Sequence, residues 1–147
     1  MYFINIKALK EQHRAGQYQS NDSLMYLSAT VILTYLAILL VRFPENDWSL
    51  GVDAVEGIMV LLSIFVAYVA NGGNGGSYFL DKFVSIGWVV LIRLLPVIVL
   101  LALVINIGET ALFGQASEHD GPEDIIGLAV IYGIYTWRLA VHIKDTR

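Results

Sequence analysis

FVSIGWVVLIRLLPVIVLLALVINI, residues 83–107, decides how this chain folds. It holds one charged side chain, Arg93, in 25 residues. At about 1.5 Å per residue, a helix of that length reaches roughly 37 Å, more than the ~30 Å hydrocarbon core of a bilayer. Three further apolar runs flank it: Leu24–Phe43 and Ala54–Ala70 before it, and Ile125–Val141 after it. A membrane-spanning helix needs roughly 20 apolar residues, with about 17 as the lower limit. The sequence therefore predicts an all-α integral membrane protein: an antiparallel four-helix transmembrane bundle, one domain over residues 1–147. Hydrophobic residues make up 56% of the chain, charged residues 15%, and the mean hydropathy is +0.64. Soluble domains carry about 25% charged residues.

The segments between the runs alternate in charge. Glu45, Asp47, Asp53 and Glu56 lie between the first two, with Arg42 at the edge. Glu109, Glu118, Asp120, Glu123 and Asp124 lie between the last two, with no base. The bases sit elsewhere: Lys7, Lys10 and Arg14 before the first run, Lys82 between the second and third, and Arg138, Lys144 and Arg147 at the end. Lys and Arg are retained on the cytoplasmic side of a membrane. Both termini are therefore expected in the cytoplasm, with the acidic loops outside, in a multi-pass protein of the cell inner membrane. The net charge of −4 averages two opposite surfaces, so it does not suggest a nucleic-acid partner. Cysteine is absent, which excludes disulfides and thiolate metal sites.

Residues 1–15 read as an amphipathic interfacial helix. Tyr2, Ile6, Leu9 and His13 recur at helical spacing, and Lys7, Lys10 and Arg14 share another face. Such a helix lies at the headgroup level with its bases toward anionic lipid, or docks a cytoplasmic partner. Gly16 is expected to end it, and Asn21, Asp22 and Ser23 offer an N-cap for the first span. Pro44 stops that span, with Phe43 and Trp48 in an outer aromatic belt. Asp53 and Glu56 cap the second span, or Glu56 turns inward to pair with a base. Asn71-Gly72-Gly73-Asn74-Gly75-Gly76 reads as a flexible hairpin loop. The alternative, a phosphate cradle, lacks the strand and the fixed-spacing lysine of the known nucleotide motif.

Arg93 is the strongest chemical clue. Arginine at mid-membrane costs roughly 2.5–3.5 kcal/mol on insertion scales, and such residues face a bundle interior or a watery cavity. Pro96, three residues on, frees a backbone carbonyl that a guanidinium can satisfy. Arg93 therefore snorkels to headgroups, pairs structurally (Tyr132 and Tyr135 are candidates), or lines a path for ions. The outer loop Gly108–Asp124 carries His119 and the acids Glu118, Asp120, Glu123 and Asp124, with Pro122 placed to start the last helix. It reads as a solvated surface for an external partner, without metal-loop spacing. In the last run, Gly127, Ala129 and Gly133 offer a small-residue face for helix packing. His142 reads as an exposed interface residue.

No Ser-His-Asp, HExxH or Walker pattern is present. The expectation is a protein without enzymatic activity or cofactor, similar in size and hydropathy to small bacterial inner-membrane proteins. It would act as an interaction, sensor or immunity-type subunit that anchors or modulates a partner protein in the lipid bilayer. The alternative is a homo-oligomeric, anion-favouring channel or transporter lined by Arg93. The lack of native cysteine makes the topology testable. A Glu118→Cys variant should react with a membrane-impermeant maleimide on intact cells, and Lys144→Cys only after permeabilisation; the reverse pattern contradicts the orientation.

Overall fold

A computed structural model describes residues 2–41, 50–113 and 122–147. Those residues form five α-helices: α1 (Ile6–Arg14), α2 (Ser20–Val41), α3 (Leu50–Ala70), α4 (Phe79–Phe113) and α5 (Pro122–Lys144). A single 3-10 turn, Gly73–Gly75, joins α3 to α4. Among the described residues three stretches are long and apolar enough to cross a membrane: Gly51–Ala70, Phe79–Leu101 and Ile125–Lys144. The fold is thus all-helical, with the apolar character of a membrane protein.

Over the described residues each predicted run falls on a helix, although α2 is not among the three candidate membrane spans, and each helix begins before its apolar run. α2 starts at Ser20 rather than after residues 21–23, because the Asp22 carboxylate reaches back to the Gln19 N–H, at 3.4 Å. That is the acidic half of a capping box, with Asp22 inside the first turn. α3 starts at Leu50, so Asp53 lies in its first turn. α4 runs from Phe79 through Pro96 to Phe113, well past Ile107. The expected outer loop is therefore shorter, since residues 108–113 and 122–124 are helical. α5 begins at Pro122, where a fixed φ suits the first helical position. Arg42, Phe43, Pro44, Glu45, Asp47, Trp48, Glu118, His119 and Asp120 lie outside the described residues, as do the side chains of Glu109, Glu123 and Asp124.

α4 is the central element. α1, α2 and α5 pack on it, and α3 packs chiefly on α5. The contacts bring the N-terminal ends of α2 and α4 together with the C-terminal ends of α3 and α5. Ser23 of α2 donates to Asp81 of α4 at 2.5 Å, and Arg147, just past α5, donates to the Val69 carbonyl of α3 at 2.9 Å.

The core gathers at this same end. Ile6, Leu9, Tyr26, Ala67, Ile86, Val89, Leu139 and Ile143 are buried in it. Away from it the helices expose large apolar side chains, among them Ile32, Tyr35, Leu61, Phe65, Leu100 and Val104. Soluble monomers rarely show contiguous apolar patches beyond a few hundred Å². Such a surface fits hydrocarbon.

α1 departs from the interfacial reading. Its helix starts at Ile6 with Asn5 as N-cap, so Tyr2 falls outside it. Gly16 terminates it as expected, at φ +65°. Its apolar face is buried against protein instead of lipid headgroups, with Leu9 at 0% exposure. α1 also lies along α4: His13 meets Ser85, whereas Ile4 meets Arg93, about 12 Å further on. Burying Leu9 contributes about 1.5–3 kcal/mol. Leu9→Ala should therefore release α1, read as rapid proteolysis in the Gly16–Gln19 connection at unchanged overall helicity; resistance equal to the parent protein would contradict the docking.

Candidate functional site at the base-rich end

Among the described residues, the bases Lys7, Lys10, Arg14, Lys82, Arg93, Arg138, Lys144 and Arg147 lie toward this end, with the acids Glu11, Asp22, Asp81 and Asp145. Each base is held differently. Lys10 pairs with Asp145 at 2.8 Å, and Arg14 Nε donates to the Asp145 carbonyl at 2.7 Å. The Lys10 hydrogen bond keeps the Asp145 carboxyl below the usual carboxylate range. Of the three bases proposed for docking, Lys10 and Arg14 thus tie α1 to the chain's last residues, while Lys7 is exposed.

Arg93 spends its guanidinium on backbone. Nε and Nη2 both donate to the Ile4 carbonyl, at 3.1 and 2.8 Å. This oxygen lies just before α1, a partner that spacing alone does not indicate. Tyr132, considered as a partner for Arg93, instead donates to Glu56 at 2.7 Å. Glu56 thus pairs across helices with a hydroxyl and not a base. Pro96 sits in α4 one turn beyond Arg93.

A polar cluster joins α1, α2 and α4. His13 Nε2 lies 2.9 Å from Ser85 Oγ and its ring stacks on Tyr18. Ser85 Oγ also lies 2.6 Å from the Asp81 carbonyl, which can only accept. The single hydroxyl proton is therefore committed to Asp81, and His13 must be the Nε2–H tautomer donating to Ser85. A histidine that donates to a serine is not its base. The Asp81 carboxylate accepts from Ser23 and not from His13. The trio holds helices together, with the wrong proton arrangement for a nucleophile.

Burial, reinforced by the positive charge of Lys82, lowers the His13 pKa to about 4 against the opposing pull of Asp81 and Asp22. His142 is partly buried, contrary to the exposed position expected, and its Nδ1 is enclosed without a protein partner. Arg138 lies over the exposed Trp137 ring, 5.1 Å from its centre.

Among the described residues nothing packs closely on the two glycines of the small-residue face of α5. A Cβ at Gly127 or Gly133 would meet nothing within 4 Å. Close approach occurs instead at Gly87 of α4, where the Tyr135 hydroxyl would lie 2.9 Å from an added Cβ. The α3–α5 seam is polar at Ser63, whose hydroxyl donates to Met59 O and so accepts from Thr136. An apolar cleft of about 320 Å³ opens beside it, lined by Val60, Phe83, Ile98, Ile131 and Tyr135.

The glycine loop is built rather than loose. Asn71 is 1% exposed; its Nδ2 donates to Ser77 O and its Oδ1 accepts from Lys82 at 3.1 Å. Gly76 permits this, because a Cβ there would lie 2.2 Å from Asn71 O. Gly72 takes φ +104°, which an L side chain rarely adopts. Among the described residues no group of His, Asp and Glu could hold a metal ion. No protein-family model, curated protein or solved structure matches this chain.

The His13 pair makes α1 docking pH-dependent. The released state titrates near the ordinary 6.5 and the docked state near 4, so the released state binds more protons between these values. Docking is then fully stable above pH 6.5 and weakens as pH falls toward 4. Trp88 reports it through its edge contact with Phe3. In a background with Trp48 and Trp137 replaced by Phe, Trp88 emission should shift between pH 7 and 4.5. His13→Gln should flatten that change.

Proposed function

We propose that this chain is a multi-pass protein of the bacterial inner membrane in which α2 supplies a fourth span, with both termini in the cytoplasm. It acts without catalysis, as a subunit that anchors, senses or modulates a protein partner. The observation that carries this reading is the fate of the polar groups. Arg93 holds Ile4, His13 donates to Ser85, Tyr132 donates to Glu56, and Ser63 pairs with Thr136. These groups are consumed in one-to-one helix contacts, and intramembrane catalysis needs several polar groups free at one depth. The same observation weighs against the channel reading, because an arginine bonded to backbone offers little to a passing anion.

The partner surface on this reading is the exposed flank of α1 around Lys7, together with the acidic segment on the opposite side of the bilayer. Homo-oligomerisation has its own candidate face in Gly127, Ala129 and Gly133, of which Gly127 and Gly133 have open space beside them that would allow a second helix to approach. The protein purified in mild detergent should carry a stoichiometric second protein, seen as one mass by native mass spectrometry. Lys7→Glu should reduce that partner's occupancy several-fold, with α1 still docked. A homo-oligomer carrying lipid alone, with ion flux lost in Arg93→Ala, would overturn the reading in favour of a channel.

A further inference from the structure

Below the glycine loop lies a half-open pocket of about 350 Å³, between the end of α3, the start of α4 and the residues after α5. Lys82 and Arg147 both line it. Lys82 is 5% exposed and has one hydrogen-bond partner, Asn71. Among the described residues no carboxylate lies within ion-pair distance of either cation, since the ion pair formed is Lys10–Asp145. The nearby carboxylates are already engaged: Asp145 by Lys10, Asp81 by Ser23.

A buried ammonium without a counter-charge is costly, because an ion taken out of water loses its solvation. A neutral amide oxygen offsets part of that cost. Placing a guanidinium in the same pocket raises it. Donors also remain in excess. Lys82 has three N–H groups and spends one on Asn71; Arg147 has five and spends one on Val69. The Ser77 hydroxyl, also in the lining, donates to no described residue. The Thr146 hydroxyl is not available, since it donates to Ile143 O.

Two convergent cations, spare N–H donors and a concave backbone wall match one ligand chemistry. We propose that this pocket binds a phosphate group bearing net negative charge, held by Lys82 and Arg147 beneath the loop of Gly72 to Gly76. Guanidinium meets phosphate oxygens in a bidentate fork, and ammonium binds as a point charge. The phosphate belongs either to an anionic lipid headgroup or to a free phosphate species. The lipid source rests on the membrane reading above; the free source does not.

The full-length protein, stripped of lipid in detergent, distinguishes the two. Native mass spectrometry would count phosphatidylglycerol against phosphatidylcholine retained, and calorimetry would titrate inorganic phosphate against chloride. Preference for phosphatidylglycerol, reduced about fivefold or more in Lys82→Gln and in Arg147→Gln, supports a headgroup site. Saturable binding of inorganic phosphate, weakened by the same variants, supports a free-phosphate site. Arg147 is exposed, so its variant keeps the test valid where Lys82→Gln unfolds, and Arg147→Lys should restore most of the binding. Phosphate or phosphatidylglycerol binding that is identical in the parent protein and Arg147→Gln overturns the proposal. So does binding no stronger than that of chloride and phosphatidylcholine.

Discussion

The docking of α1 along α4 is the contact on which the ordered end of this molecule depends. It is made three times over. Ile6 and Leu9 bury an apolar face, His13 donates to Ser85, and Arg93 grips the carbonyl of Ile4. Each contact alone is modest, since a neutral hydrogen bond contributes about 1 kcal/mol net. Together they fix both ends of a nine-residue helix that would be marginal by itself in water. With α1 in place, Lys10 and Arg14 reach Asp145 and close the C-terminal end of α5 against the same body.

This arrangement gives Arg93, which is exposed in the single chain, an occupation. A guanidinium in apolar surroundings must find acceptors, and α4 supplies none at its own level beyond the helix ladder. The Ile4 carbonyl has no helical partner of its own, because it precedes the first turn of α1. Arg93 and Ile4 therefore satisfy one another, a structural pairing of the kind weighed for this residue beside snorkelling and a path for ions. The remaining apolar faces of α2, α3 and α4 stay exposed in the single chain, where hydrocarbon or another helix is the solvent that suits them.

Apolar runs were the legible part, because a long hydrophobic stretch has few alternatives to a helix. Helix ends were less so. Ser20, Asn21, Glu109 and Thr110 continue their helices without contributing to an apolar run, and only the Asp22 side chain marks where α2 starts. Pro122 was the exception, since proline states its own position in a helix. The polar pairs were illegible for a different reason. His13 and Ser85 are 72 residues apart, Glu56 and Tyr132 are 76 apart, and nothing local in either sequence neighbourhood signals the other. The glycine loop shows the same limit. Its composition reads as freedom, yet Gly76 is required by crowding against Asn71, and crowding is a property of the fold.

The docked position of α1 against α4 must persist in a bilayer. Spin labels at Lys7→Cys and Leu95→Cys, both on a cysteine-free background, measure this directly by pulsed dipolar spectroscopy in lipid nanodiscs. A docked α1 predicts one short, narrow distance distribution. A broad distribution, or a single long distance from a helix lying flat at the headgroups, would contradict it.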